Sequence, residues 1–292
     1  MKTLLTEEWK IDIPDIGASE KRLVTLYDRP GPQFRGRISP VEKKSLFERL
    51  EIRQGDFDVL AVSATSWTDD EDFGLLLHAM DVLEIGGNRR FLFFITGKGK
   101  NRESFEREFV NRKFQQIRLR TGWLETSDYP KLLGAADVGI SLHASSSGVD
   151  LPMKVVDMLG AELPVLALKF PAIGELIGAD KGVLFTSAND LANALTLIAE
   201  NPHKRAELSR AAKKWRSLDF QTHWKETILG VKASRPETTS ALNSEKPRKG
   251  WFRVAVRGQD VICLKDLPRP FRALREVDLD KLVLDILAEL SK

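Results

Sequence analysis

The sequence contains a single cysteine, Cys263, among its 292 residues. One thiol excludes both an intrachain disulfide framework and a zinc site built from several cysteines. Long apolar runs are also missing: the run at Phe91–Ile95 has the length of a buried strand, far short of the roughly 20 residues that cross a bilayer. The first ten residues include two glutamates and no long apolar segment, so they do not predict a secretory signal. These absences favour a cytosolic protein, or one attached to a membrane from the cytosolic side.

The sequence also lacks a large excess of charge of either sign. It has 45 Lys and Arg residues against 42 Asp and Glu residues, and a net charge of +3 does not support general binding to nucleic acid. Hydrophobic residues make up 42% of the chain and charged residues 30%, which is the usual balance of a globular protein. We therefore expect a sizeable folded domain and no nucleic-acid partner.

Short β-branched or aromatic runs alternate with segments of helical periodicity from about residue 56 onward. Six strand–helix units follow one another with short connections, and a longer helical segment covers residues 203–218. Apolar strands that alternate with helices form parallel sheets, so the pattern predicts an α/β fold with helices on both faces of a parallel sheet. The predicted strands are 58–62, 91–95, 117–120, 138–142, 164–168 and 183–185.

Changes of pattern divide the chain into four segments. Residues 1–55 carry turn signals and basic side chains and are predicted to be an interdomain crossover or linker segment. Residues 56–230 are predicted to form the sheet domain, and residues 231–249 lack periodicity and are predicted to be a flexible linker. Residues 250–292 are predicted to form a small basic appendage of two strands, at 251–257 and 260–264, and a helix.

The appendage carries a local excess of positive charge. Nine basic residues against two acidic ones lie between Lys246 and Arg275, and the predicted helix that follows, over 279–290, is amphipathic. This patch fits contact with anionic lipid or docking of a partner. An appendage that packs on its own domain explains the same pattern, and both interpretations stay open.

A segment rich in serine, between a predicted strand and a predicted helix, is the densest candidate site. It contains Ser145, Ser146, Ser147 and Gly148, and its helix is predicted to have Pro152 in the first turn. The free N–H groups and the dipole of a helix N-terminus favour an anion such as phosphate. Lys154 adds a positive charge, and the Asp157 carboxylate suits hydrogen bonds from a ribose diol. A well-capped helix without a ligand explains this segment, taken alone, equally well.

Two other predicted strands end in polar turns at the same edge of the sheet. Gly97 and Lys98 follow one of them, where glycine permits a close approach of backbone to phosphate and lysine neutralises it. Thr65 and Ser66 follow the other and are candidates for contact with the same phosphate. Neither turn matches a P-loop or a dinucleotide fingerprint, and a plain tight turn remains an alternative for each.

The acidic run at Asp69–Asp72 raises the possibility of a metal site. Thr68 and Glu71 have the spacing of a capping box, and acidic residues in a first helical turn complement the helix dipole. We favour the cap and expect no metal. His143 directly follows another predicted strand, and a lone histidine is more often structural than catalytic.

Four segments, taken in order along the chain, match a known family. They are Val62–Phe73, Ile95–Gly99, Trp123–Pro130 and Leu142–Met158. Together they closely resemble the eukaryotic chitobiosyldiphosphodolichol β-mannosyltransferases, over about residues 24–228. The resemblance implies a GT-B fold, in which two Rossmann-like domains face each other across a cleft, and it implies that this chain contains the C-terminal, donor-binding half.

The resemblance also implies a reaction. GDP-mannose would donate mannose in β-1,4 linkage, with inversion, to dolichyl-diphosphate-linked chitobiose during assembly of the N-glycan precursor. No metal and no cofactor are implied beyond this donor substrate. Lys98 and Lys154, with backbone amides around Ser145–Gly148, would hold the diphosphate, and Asp157 would bind the ribose.

Other positions of the matched motifs would surround the sugar and the base. The resemblance places His143 and Asp150 near the sugar, and Trp123 and Leu124 in the guanine pocket. The Glu125 carboxylate would accept hydrogen bonds from the N1–H and the exocyclic amine of guanine. The general base of an inverting transfer is not identifiable in the sequence.

Residues 1–32 resemble the segment that crosses back from the N-terminal domain of the family. We therefore expect a protein partner to supply the N-terminal half and the membrane anchor at the cytoplasmic face of the endoplasmic reticulum, with the chain peripheral there or otherwise cytosolic. The isolated chain is then a catalytically incomplete transferase. The alternatives are a truncated product, or a nucleotide-sugar-binding or scaffold module that acts with a partner transferase.

Overall fold

The computed structural model describes residues 27–87, 89–144, 150–218, 222–223, 251–256 and 259–265. The chain forms two compact units, Met1–Ser234 and Arg235–Lys292. The predicted linker over 231–249 and the predicted helix over 279–290 lie outside the described residues.

The first unit is built around a six-stranded sheet. Its strands are β1 (Val59–Ala64), β2 (Phe91–Thr96), β3 (Ile117–Gly122), β4 (Val138–Ser141), β5 (Val165–Leu168) and β6 (Gly182–Phe185). Their order across the sheet is β3-β2-β1-β4-β5-β6, and every neighbouring pair is parallel. The predicted α/β fold with a parallel sheet is confirmed.

Helices follow the strands as the sequence pattern predicts. They are α1 (Pro40–Arg49), α2 (Phe73–Gly86), α3 (Arg102–Arg112), α4 (Tyr129–Ala135), α5 (Met153–Gly160), α6 (Ile173–Ile177), α7 (Ala188–Glu200) and α8 (Pro202–Arg216), with a short 3-10 turn at Gln54–Asp56. Every strand boundary of the sheet lies within two residues of the predicted one, and α8 ends at Arg216, two residues before the end predicted for that helix.

The sheet is buried on both faces, which explains why its strands are almost continuously apolar. Successive residues of β1 alternate between two cores: Leu60 and Val62 face one core, and Val59 and Ala61 face the other. Helices α1, α4, α5 and α6 contribute to the first core, and α2, α3 and α7 to the second. Helix α8 contributes to both, through Ala212 and Leu208 respectively.

The segment that precedes α1 packs against the sheet domain. Phe34 is buried, and its ring meets that of Tyr129 edge-on, with centroids 5.9 Å apart. The Arg29 guanidinium lies 4.7 Å from the ring centroid of Trp215 and donates a hydrogen bond of 3.2 Å to the Trp215 carbonyl. The described part of the predicted crossover, over 27–55, therefore contributes to the core of the first unit.

The second unit contains an antiparallel pair of strands, β7 (Trp251–Val256) and β8 (Gln259–Lys265). The two predicted strands of the appendage are therefore confirmed.

The ends of β1 and β2 lie in very close contact. Gly97, just after β2, has a φ of +153°, and a Cβ atom there would stand 1.8 Å from the carbonyl oxygen of Thr65. The Gly97 N–H donates to the carbonyl of Gly122 at the end of β3, at 3.0 Å. Only a residue without a side chain fits this position, because the obstruction is backbone that cannot rotate away.

We expect Gly97→Ala to lower the free energy of unfolding by about 2 kcal/mol or more, since it combines an unfavourable φ with a backbone clash. Urea unfolding followed by circular dichroism measures the loss. Gly122→Ala is the matched control on the neighbouring strand, because a Cβ there meets nothing within 4 Å. Equal stability of the two variants would contradict the close approach.

Candidate functional site

The sheet order determines where polar loops meet. Strand β1 lies between β2 and β4. From β1 the chain adds β2 and β3 on one side of the sheet, and it then returns to add β4, β5 and β6 on the other side. In open parallel sheets this switch point leaves a crevice at the carboxyl ends of the strands, where ligands bind. The candidate site consists of the loops after β1 and β2, the described residues that follow β4 and the start of α5.

The loop after β1 is organised around the buried carboxylate of Glu71, whose side chain is 3% exposed. Its Oε2 atom accepts hydrogen bonds from the Thr65 hydroxyl and, at 3.2 Å, from the Ser66 N–H. Its Oε1 atom lies 3.3 Å from Nζ of Lys154, in α5. One carboxylate thus joins the end of β1 to the helix that follows β4.

The predicted capping box of Thr68 and Glu71 is wrong. Helix α2 begins at Phe73, and its N-cap is Asp72, whose side chain accepts from the N–H of Leu75 at 2.9 Å. Glu71 therefore precedes the helix, and its side chain turns inward to the donors of the β1 loop. The spacing suggested a cap, but a nearer carboxylate at Asp72 takes that role.

Trp67 anchors the same loop in the core. Its side chain is fully buried and stacks on Phe73, with ring centroids 4.5 Å apart. Its backbone has a φ of +52°, a conformation that a bulky residue keeps only when its surroundings impose it. The Trp67 N–H also donates to the Thr65 hydroxyl oxygen at 2.8 Å. The Thr65 hydroxyl is therefore engaged within the loop, whereas Ser66 is exposed.

His143 lies between two carboxylates at the end of β4. Its Nδ1 is 3.6 Å from Oδ2 of Asp70, and its Nε2 is 3.3 Å from Oδ2 of Asp150. A hydrogen bond from the Thr68 hydroxyl, with smaller contributions from nearby positive charge, holds the pKa of Asp70 below its usual range. The structure brings His143 and Asp150 together at this edge of the sheet.

The turn after β2 places a cation over an aromatic ring. Nζ of Lys98 lies 4.5 Å from the ring centroid of Trp123, a residue that is 62% exposed. Leu124 is 8% exposed and belongs to the core, so Trp123 alone of this pair presents its ring to the surface. The Glu125 side chain is exposed, while its carbonyl accepts the N–H groups of Asp128 and Tyr129 at the start of α4.

Helix α5 starts at Met153, with Pro152 as its N-cap residue. The prediction that Pro152 lies inside the first turn is therefore wrong by one position. The Pro152 carbonyl accepts the N–H of Val155 at 2.9 Å, so the first turn of α5 forms beside Lys154. The predicted phosphate-binding residues Ser145, Ser146, Ser147 and Gly148 lie outside the described residues.

Asp157 lies one turn further along α5 and is half-buried. Its Oδ2 atom accepts a hydrogen bond of 3.4 Å from the hydroxyl of Tyr129, the first residue of α4. Burial raises the pKa of the Asp157 carboxyl to about 6, although the Tyr129 hydrogen bond acts in the opposite direction. Burial, together with the nearby Asp157 charge, raises the pKa of the Tyr129 hydroxyl as well.

Two side chains of this site were missed by sequence reasoning, namely Glu71 as a buried partner of Lys154 and Tyr129 as a partner of Asp157. The signal for Tyr129 was present, because it lies in the matched segment Trp123–Pro130. Glu71 lies among three acidic neighbours, Asp69, Asp70 and Asp72, and spacing alone did not show which of the four carboxylates is buried.

Within the described ranges, no group of three or more His, Cys, Asp or Glu side chains converges as metal ligands would. In the same part of the chain, no helix is both long and apolar enough to cross a membrane.

The raised pKa of Asp157 predicts a stability that depends on pH. Because burial disfavours the carboxylate, its contribution favours the folded state below about pH 4 and is lost as the pH rises through about 6. We expect Asp157→Asn to stabilise the protein by about 1–2 kcal/mol at pH 7.5, after allowance for partial screening, and to raise the melting temperature by about 3 °C or more.

Melting temperatures at pH 7.5 and pH 4 measure this effect, and the gain should disappear at pH 4. Asp69→Asn is the matched control, because Asp69 is exposed and its hydrogen bond with Lys100 lowers its pKa. An increase in melting temperature of the same size at both pH values would contradict a raised pKa of Asp157.

Comparison with known proteins shows the family to which the chain belongs. The model of the family described as "Glycosyl transferases group 1" matches residues 42–215. Chitobiosyldiphosphodolichol beta-mannosyltransferase of Homo sapiens is 36% identical over 270 residues, with 78% of this chain and 56% of the relative covered. The protein of the same name from Candida albicans is 38% identical over 238 residues, with 78% and 51% covered. The predicted resemblance is confirmed, and the chain spans about half the length of the curated relatives it matches.

Comparison with solved structures shows which known fold the chain shares. A glycosyltransferase from Rickettsia africae ESF-5 superposes with a TM-score of 0.61 at 16% identity, with 80% of this chain and 60% of that chain covered. Anabaena HepE, solved in complex with UDP and glucose, gives a TM-score of 0.54 at 17% identity, with 72% and 56% covered. The sheet domain is thus one Rossmann-like half of a GT-B fold, and the chain belongs to the group 1 glycosyltransferase family.

Proposed function

We propose that this chain is the donor-binding part of a β-mannosyltransferase. It binds GDP-mannose and presents it for inverting β-1,4 transfer to dolichyl-diphosphate-linked chitobiose, in assembly of the N-glycan precursor. The observation that carries the proposal is that Lys98, His143 and Lys154 all follow the carboxyl ends of parallel strands at one edge of the sheet, in a member of a glycosyltransferase family. The names of its relatives support the choice of sugar and acceptor.

Two lysines suit the diphosphate. The side chain of Lys154 is 33% exposed and sits in the first turn of α5, where the helix dipole also favours an anion. Lys98 is exposed and reaches the same edge from the turn after β2. In the proposed reaction the bond between the sugar C1 and the diphosphate oxygen breaks, and the GDP that leaves gains negative charge. Two ammonium groups beside that oxygen stabilise the charge, so we propose that transfer needs no metal or other cofactor.

The remaining groups suit the nucleoside and the sugar. Asp157 accepts hydrogen bonds from the ribose hydroxyls, and Tyr129 orients its carboxylate. The exposed ring of Trp123 offers a stacking surface for guanine, and the exposed Glu125 carboxylate suits the guanine N1–H. His143 contacts the sugar, with Asp150 adjoining its ring.

The acceptor side of the reaction requires further groups. The acceptor hydroxyl attacks C1 and must pass its proton to a general base positioned beside it. We assign that base to an N-terminal half and place the complete enzyme at the cytoplasmic face of the endoplasmic reticulum membrane, with the anchor supplied by the same half. A protein partner that carries this half completes the cleft.

Donor binding is tested by titration calorimetry with GDP-mannose. We expect micromolar affinity for the unmodified chain and at least a tenfold loss for Lys154→Ala and for Asp157→Ala, since each removes a charged hydrogen-bonding group from the site. Lys213→Ala, in the last turn of α8, is the matched control and should bind as the unmodified chain does. Absence of binding by the unmodified chain would favour the scaffold alternative.

Transfer is tested with GDP-mannose and lipid-linked chitobiose. The chain alone should give no mannosylated product, because the proposed general base is supplied in trans. Addition of a polypeptide with the N-terminal half of the human or Candida albicans relative should restore transfer. Chromatography of the lipid-linked sugar measures the mannosylated product. Turnover by the chain alone would show that it contains its own base.

A further inference from the structure

Glu71 is a buried acid beside a site that we propose to bind an anion. Burial of a carboxylate is costly unless donors and a cation compensate it. Here the donors are the Thr65 hydroxyl and the Ser66 N–H, and the cation is Lys154. A negative charge at this position would by itself repel a diphosphate, so its presence calls for a role that outweighs the repulsion.

The two carboxylate oxygens of Glu71 have different partners. Oε2 accepts both donors of the β1 loop, which Trp67 anchors in the core, so the carboxylate has a fixed position. Oε1 faces Nζ of Lys154 at 3.3 Å, across 83 positions of sequence. The rigid end of β1 thereby determines where the ammonium group of a helix residue lies.

Lys154 needs such a partner because a lysine side chain has many rotamers and its ammonium group is a mobile point charge. An ammonium group has three N–H donors. One donor is directed to Glu71, and with 33% of the side chain exposed the group remains accessible to a ligand. The same ammonium group can therefore contact Glu71 and a diphosphate oxygen together.

We propose that Glu71 is a positioning residue of the donor site: it holds the Lys154 ammonium group against the end of β1, where that group meets the diphosphate of the nucleotide sugar. This inference rests on the proposed function and extends it to a residue that does not contact the donor. It predicts that loss of the Glu71 charge weakens donor binding, although electrostatic repulsion alone predicts the opposite.

The test is a double-mutant cycle of donor affinity, with GDP-mannose titrated into Glu71→Gln, Lys154→Met and the double variant. Glutamine keeps the shape of the side chain and an oxygen for Thr65 and Ser66, but it loses the ionic partner of Lys154. We expect Glu71→Gln to weaken binding about tenfold and Lys154→Met to weaken it more. In the Lys154→Met background, Glu71→Gln should add less than about a twofold loss.

Glu106→Gln is the matched control. Glu106 also accepts a hydrogen bond from a threonine hydroxyl, that of Thr121, and also pairs with a cation, Arg102, at 2.7 Å. This triplet lies in α3 and β3 and includes none of the residues that we place in the donor site, so its loss should leave the affinity for GDP-mannose unchanged. Melting curves of all variants separate a loss of affinity from a loss of fold.

Three outcomes would overturn the inference: tighter binding by Glu71→Gln, unchanged binding, or losses that add in the double variant. If the unmodified chain fails to bind GDP-mannose at all, the proposed function fails and this inference fails with it, a result distinct from additive losses in a chain that binds. If Glu71→Gln does not fold, the affinity of Glu71→Asp is compared with that of the double variant Glu71→Asp, Lys154→Arg. Aspartate is one carbon shorter than glutamate, and the longer arginine side chain can close the gap. The double variant should recover at least half of the affinity that Glu71→Asp loses, on a logarithmic scale, and no recovery would overturn the positioning role.

Discussion

Parallel pairing of β1 with both β2 and β4 is the constraint on which the candidate site depends. Because all six strands point the same way, every strand-to-helix loop emerges at one edge, and the reversal of strand order beside β1 separates the helices on the two faces. The backbone contact between Gly97 and Thr65 then brings the first two loops together. Lys98, His143 and Lys154 come from three different loops or helices, so their common position at this edge is a property of the sheet and not of any one motif.

The site is rich in acidic groups for one that we propose to hold a diphosphate. Glu71, Asp70, Asp150 and Asp157 all lie at this edge, and hydrogen bonds or cations compensate those whose partners are described. Each acid has a distinct environment: Glu71 is buried and paired with Lys154, whereas Asp157 faces a phenol and has a raised pKa. Negative charge therefore shapes the site mainly through the side chains that it orients.

Much of the fold could be predicted from sequence because the strands are buried on both faces. That burial requires runs such as Phe91–Ile95, which no surface element would carry, and the predicted boundaries consequently lie close to the observed ones. The wrong prediction of a capping box at Thr68 and Glu71 has a local cause. The carboxylates of Glu71 and Asp72 are adjacent in sequence and could each interact with the N-terminus of α2, and only tertiary contacts decide that Asp72 is the N-cap. The Tyr129–Asp157 contact links two helices and was likewise inaccessible from spacing, although both residues lie in segments that resemble the family.

The packing of residues 27–38 has a practical consequence for the boundaries of the domain. The family match begins at residue 42, yet Pro30 and Phe34 lie against Gly160 of α5, and Arg29 stacks on Trp215 of α8. A polypeptide trimmed to residues 42–215 would lack the side chains that pack against the C-terminal end of α5, the helix that carries Lys154 and Asp157. A polypeptide for expression should therefore start upstream of the group 1 family match, at Tyr27 or earlier.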